Sequence, residues 1–282
     1  MIRRHQEDAV MRGVWETTIA DSVRRAAAGV RSRRISGLAA VALLALGASA
    51  APALAGCRDE PTPKVDWSEC DRMRLMLSSS DLSGGVFVQT FFTSTDLRGA
   101  NLAGADLTRA ELSMASLAGA NLAGAKLEKA VGTRADFSGA DLSKANLVAA
   151  EISRSSFVKA NLGGAVLQDS EMNRSDFSGA DLSGADMSKA ELARVVLTDA
   201  KIAGVSFSFS NLSRADLRNV GLGDANMAGA YLFLTQLAGA DLSATAGLTQ
   251  GQLDIACGDG ATKLPAGLAP PQTWPCPDYD DD

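Results

Sequence analysis

From Leu82 to Leu242 every fifth residue is apolar, and this one periodicity restricts what the chain can fold into more than any other feature. The 33 positions counted in fives hold 21 Leu, 6 Phe, 3 Met, 2 Ile and one Gly, Gly132. The residue two places earlier is Ala in 21 of the 33 units and Ser, Thr, Val or Gly in the rest, so it is always small. The register does not slip, and repetition this regular outranks a local reading of helix or strand. A period of five matches neither the period of about 2 of a strand nor the period of about 3.6 of a helix. Wound as an α-helix, these leucines would spread over the whole circumference. A backbone that turns a corner every five residues accommodates them. The large residue then fills the axis, the small one sits where the wall comes close, and the three between face solvent. Gly stands two places after the centre in 12 of the 33 units, where a corner needs unusual backbone angles.

Passages such as Ala100-Asn101-Leu102-Ala103-Gly104 and Ala105-Asp106-Leu107-Thr108-Arg109 read A-[DN]-L-x-x. On this motif the chain resembles the pentapeptide repeat proteins throughout 82–242. The resemblance implies an all-β fold, a right-handed quadrilateral β-helix with four pentapeptides per coil. Residues 20 apart would then stack at about the 4.8 Å spacing of paired strands, and the repeats would make about eight coils. The expected organisation is a leader over 1–55, an N-terminal cap over 56–80, the β-helix over 81–244, and a C-terminal helical cap with a disulfide-closed tail over 245–282.

The leader reading rests on Arg31, Arg33 and Arg34, the apolar run from Ile35 to Leu46, and Ala53-Leu54-Ala55 as a cleavage site. It predicts an exported protein, periplasmic or extracellular. The segment holds 8 Arg against 4 acidic residues, so losing it takes the formal charge from −6 to −10. The only histidine, His5, lies in it. A chain without that segment has no Ser-His or Cys-His dyad and no His-based metal site, which argues against an enzyme. No cofactor and no small-molecule substrate are expected.

Four cysteines, Cys57, Cys70, Cys257 and Cys276, form an even set that favours two disulfides in an exported chain. A Cys57 to Cys70 bridge would fold the cap back, with Trp67 over the first coil and the apolar outward residues Val86, Val88 and Phe91 beneath it. Leu54-Ala55-Gly56-Cys57 also matches a lipobox, which would instead make Cys57 a lipid anchor. Beyond Leu242 the register stops. Thr249 and Gln252 form a capping-box signature for a short helix, and a Cys257 to Cys276 bridge would tie down the proline-rich loop with Trp274 against the body. The acidic end from Asp278 is expected to be unstructured.

With the repeats sorted in twenties, as the resemblance implies, one face carries Arg134, Arg154, Arg174, Arg194 and Arg214 two places after its centres. Glu111, Glu151, Glu171 and Glu191 stand one place before them. The bland expectation is that the two columns neutralise each other as a solvated lattice. The functional one is an anion-binding stripe for a polyanion or an acidic partner. Phe209, Tyr231, Phe233 and Leu234 form an outward apolar patch, to be covered by the tail or by a second subunit. Members of the resembled family often dimerise at the C-terminal end. The expected partner is therefore a protein or a polyanionic envelope component bound by a non-catalytic scaffold. The resemblance also offers an alternative, because some members are acidic rods that mimic DNA and act on DNA gyrase. The leader and the arginine column argue against that alternative, and nucleic acid is not the expected partner.

Overall fold

A computed structural model describes residues 56–276, which lie within one compact unit, Pro52–Asp282. The leader expected over 1–55 and the acidic end expected from Asp278 lie outside the described residues.

Each unit closes on itself through a β-turn. The N–H three places after the centre donates to the centre's carbonyl, as in Ala105 to Leu102 at 3.0 Å and Ala110 to Leu107 at 2.9 Å. Each unit then pairs with the unit 20 residues on: Leu102 N–H donates to Asn121 O at 2.7 Å, and Asn121 N–H to Ala100 O at 2.9 Å. Parallel bridges repeat at this offset from Asp66–Val86 to Asn226–Ala246. Four units per coil thus build a right-handed quadrilateral β-helix whose backbone groups are spent on the coils above and below. Faces one to four are named from the centres Leu82, Phe87, Phe92 and Leu97. On face one the bridge between Lys201 and Gly221 is missing, and Gly204 N–H donates to the Asp224 side chain at 2.6 Å instead.

The centres are buried from Leu82 to Leu242. On face four Phe137, Phe157 and Phe177 stack in parallel, with ring centroids 4.9 and 4.8 Å apart. Backbone pairing sets that separation. Where Ser or Thr replaces the small inward Ala, its hydroxyl often pairs with a backbone carbonyl, although the buried Thr245 hydroxyl has no partner. Thr90 and Thr235 donate to the carbonyls of Trp67 and Leu212, at 2.6 and 2.7 Å. At Gly132 an added β-carbon would meet Ile152 and Leu112 of the neighbouring coils at ordinary contact distance, 3.4–3.5 Å. The hydroxyl of Ser155 bridges that corner, accepting from Ala135 N–H at 3.0 Å and donating to Gly132 O at 2.9 Å.

Both ends differ from expectation. Residues 61–80 form a further coil, with Thr62, Trp67, Arg72 and Leu77 in the centre positions and bridges at Asp66, Asp71 and Met76. The sequence hides this because Thr62 and Arg72 break the apolar period. Trp67 is fully buried against Phe87, centroids 5.7 Å apart, and the Arg72 guanidinium lies 3.8 Å over its ring and donates to Asp59 O. Burial pushes the Arg72 pKa down, opposed by Asp59 and Glu60. The coil over 61–80 leaves Phe91 46% exposed and Val86 and Val88 half-buried, so the cover expected over them is not there. The Cys57–Cys70 disulfide engages the sulfur that lipidation of Cys57 would need.

At the other end the register continues with slips. Cys257 pairs with Gln236 and Lys263 with Asp241. The first residue of slack is taken up by the segment that holds α1, Gln250–Leu253, whose Leu253 is buried on the core, and the second by the turn over 258–262. The Gln252 side chain accepts from Thr249 N–H at 2.9 Å, its half of the capping box. Its amide donates to the carbonyls of Met227 and Ala230 at 2.8 and 2.9 Å. The Ala230 carbonyl would otherwise end the ladder unpaired, whereas Met227 O also accepts from Ala230 N–H at 3.1 Å. The Cys257–Cys276 disulfide holds the tail, and the Trp274 indole donates to Ala256 O at 2.7 Å over the face of Gly258.

The residue two places after the centre is usually left-handed, glycine or not, as at Gly104 (φ 63) and Ala149 (φ 54); in the Leu222 unit Gly223 (φ 53) takes that conformation instead. A left-handed angle costs an L residue roughly 1–2 kcal/mol, partly offset by glycine's greater freedom in the unfolded chain. A β-carbon added at Gly104 would meet no atom within 4 Å, so Gly104→Ala changes little but this angle. It is expected to destabilise by about 1 kcal/mol, and Ala149→Gly to stabilise by about 0.5–1 kcal/mol. Urea midpoints that shift in the same direction for both would reject this account of the corner.

Candidate binding faces

Face three carries the charged columns. The arginines stand at the left-handed corner, φ 59, 58, 60, 60 and 56 from Arg134 to Arg214. Their N–H groups donate to the next coil at Ser153, Asn173, Ala193, Ser213 and Phe233, so the five share one corner in register. Arg194 is half-buried and the other four are exposed. On the same face Glu151, Glu171 and Glu191 are bridged in succession. Glu111 lies lower in that column, separated by Val131, and its carboxylate accepts from Ser113 N–H at 2.8 Å.

The two columns do not neutralise each other. Among the described residues, the ion pairs join Asp96 to Arg98, Asp106 to Lys126, Asp181 to Lys201, Asp216 to Arg218 and Asp241 to Lys263, all on other faces. Within that same set, none of the five column arginines has a salt bridge or a side-chain hydrogen bond. The difference is positional: within a unit the carboxylate stands on the bridged run one place before the centre, whereas the guanidinium stands at the turn two places after it. Elsewhere an aspartate one place before the centre meets a cation two residues on or one coil on. The Arg98 guanidinium thus holds the Asp96 carboxyl down at about 2, and the Ser243 hydroxyl followed by Lys263 does the same for Asp241. Extending the sort below Leu82 adds Asp71 and Arg74, which occupy the same two columns in the first coil. Sequence reasoning missed that pair only because it stopped at the first leucine.

The apolar patch divides. Tyr231, Phe233 and Leu234 lie on face three, with the rings of Tyr231 and Phe233 stacked at 6.2 Å. Phe209 stands at the corner leading onto face three, against Gly229 of the next coil. Leu234 is half-buried and its N–H reaches Ile255 O at 2.7 Å, but Phe209 is 70%, Tyr231 51% and Phe233 41% exposed. The described part of the tail packs Leu264, Leu268 and Trp274 on the core and leaves these three rings open. The first end of face three is also apolar, with Met73, Phe91 and Met114 exposed.

The family model for pentapeptide repeats matches in 8 copies, which together span residues 77–113 and 115–245. Among solved structures, the chain is similar to HetL, a pentapeptide repeat protein involved in heterocyst differentiation regulation from the cyanobacterium Nostoc sp. strain PCC 7120. The identity is 28%, covering 71% of this chain and 89% of that one, with a TM-score of 0.40. Full-length QnrB1, a plasmid-mediated fluoroquinolone resistance protein, is 19% identical over 67% of this chain and 94% of its own, with a TM-score of 0.40. A pentapeptide repeat protein from the Arabidopsis thaliana thylakoid lumen is 29% identical over 44% of this chain and 66% of its own, with a TM-score of 0.20. No curated protein sequence matches the chain.

Proposed function

The chain belongs to the pentapeptide repeat family, and from that premise we propose that it is an exported, non-catalytic scaffold that binds a partner in the envelope or outside the cell through face three. The observation that carries this reading is the file of five unpaired arginines. A guanidinium left without a carboxylate by its own fold is free to meet one, or a phosphate or sulfate, on another molecule. Two disulfides bracket the β-helix, as suits an oxidising compartment. The leader reading of 1–55 supports the same address. An unbroken straight face suits recognition of an extended or flat partner better than enclosure of a small substrate. The arginine file also works against a rod that presents uniform negative charge in place of a duplex.

Replacing Arg154, Arg174 and Arg194 with serine is expected to weaken retention on heparin or lipopolysaccharide and to flatten its salt dependence, without lowering the melting temperature. Unchanged retention would reject face three as the binding surface. Mass spectrometry of the native protein tests the export reading separately, through the position of its mature N-terminus.

A further inference from the structure

Resting on the reading that the arginine file binds an anionic partner, we propose that this partner is a lipid surface. The β-helix lies lengthwise on an anionic bilayer and touches it along the corner between faces three and four.

At that corner the five arginines from Arg134 to Arg214 stand one per coil, at the same left-handed position. They make a straight file about 19 Å long at strand spacing. The same file holds Met114 one coil before Arg134 and Leu234 one coil after Arg214, so an apolar residue closes it at each end. The neighbours one place before the arginines, from Thr133 to Ser213, are short and uncharged. Each end then widens into an apolar patch on the same side of the β-helix. Met73, Phe91 and Met114 are exposed at the first end, and Tyr231 and Phe233 at the last. Phe91 and Tyr231 are seven coils apart, about 34 Å.

A square section that meets a flat surface on its corner has both adjoining faces sloping away from the contact. The arginines are then in front and the acids of the two faces are set back. On face four those acids are half-buried and engaged. Asp136 and Asp176 accept from the N–H groups of Ser138 and Ser178 at 3.0 and 2.8 Å, and Asp216 pairs with Arg218. On face three Glu151, Glu171 and Glu191 stand on the bridged run rather than at the turn. The chain beyond the leader carries a formal charge of −10, so orientation decides the sign of the interaction. Acids on faces one and two lie about 10 Å or more behind the contact, beyond the screening length of about 8 Å at physiological salt. A dissolved polyanion would use the arginines and leave the exposed rings and methionines in water. A bilayer takes both, with phosphates for the guanidinia and the headgroup boundary for the apolar side chains. Each basic residue at an anionic bilayer strengthens binding about fivefold.

Co-sedimentation of the native protein, disulfides intact, with vesicles tests this. Binding is expected to vesicles of equimolar phosphatidylglycerol and phosphatidylcholine, not to phosphatidylcholine alone, and should fall as salt is raised. R154S/R174S/R194S is expected to bind about 100-fold more weakly, at about fivefold per arginine. Y231S/F233S should bind about tenfold more weakly yet keep its retention on heparin, a split that a purely ionic contact would not give. K64S/K144S, at the exposed opposite corner, should bind like the wild type. Circular dichroism checks that every variant is folded. Met114→Trp and Phe233→Trp, made separately, should each shift their emission to the blue on the anionic vesicles, because both ends touch. A shift at one end alone, equal binding to the neutral vesicles, or equal losses at the two corners would overturn the proposal. A wild type that ignores the anionic vesicles would overturn it too. If its heparin retention still falls with the serine substitutions, the binding-face reading survives, with a dissolved polyanion as the partner. If that retention is also unchanged, both fall.

Discussion

Replacing Phe157 with alanine is expected to lower the free energy of unfolding by about 3–5 kcal/mol, the usual cost of truncating a buried phenylalanine. The position is the middle of the face-four stack, in parallel contact with Phe137 on one side and Phe177 on the other. The void cannot collapse easily. Backbone bonds on both sides, Phe137 N–H to Ser156 O and Phe157 N–H to Asp176 O at 2.7 Å, hold the coils at strand spacing. The neighbouring rings would have to leave their stack to fill it. Each coil of a solenoid touches only its neighbours, so the loss strikes two interfaces at once. Phe157→Leu, which restores the commonest residue of these positions, should recover most of the stability and cost less than about 1.5 kcal/mol. Equilibrium urea unfolding of the three proteins measures this. A cost for alanine below about 1 kcal/mol would mean that the stack is not carrying the core at this coil.

Converting both Cys257 and Cys276 to serine is expected to cost about 2–4 kcal/mol, since the bridge closes a stretch of 19 residues in the unfolded chain. The effect should be concentrated at the last coil. That end is closed by α1, by the Gln252 amide and by Trp274 over Gly258, and the disulfide holds the segment that carries Trp274 in place. Hydrogen exchange should rise most at Leu237, Leu242, Cys257 and Lys263, whose N–H groups form the last rungs of the ladder, and Trp274 fluorescence should shift to the red. Trp67 is buried at the opposite end and should report no change under the same conditions. Uniform loss of protection along all coils would show instead that the tail is coupled to the whole β-helix.

Much of this molecule could be read before any coordinates. The period of five, the small residue two places before each leucine, and the sort in twenties together determined the core, the four faces and the alignment of the arginines. Each is a local rule repeated without interruption, and backbone pairing propagates it from coil to coil. The two disulfide pairings and the capping box at Thr249 could also be read, because they depend on residues near in sequence. Only the tertiary structure decided the ends. Arg72 occupies a core position because an end coil has an open side, where a cation can lie over Trp67, and no periodicity announces such an exception. The slips that let Cys257 and Lys263 rejoin the ladder depend on how much chain α1 and the turn over 258–262 absorb. Only the structure could show that glutamate and arginine on face three stay apart. Column membership follows from spacing along the chain, whereas ion pairing depends on the distance between side chains, and five-residue geometry puts one column on the bridged run and the other at the turn.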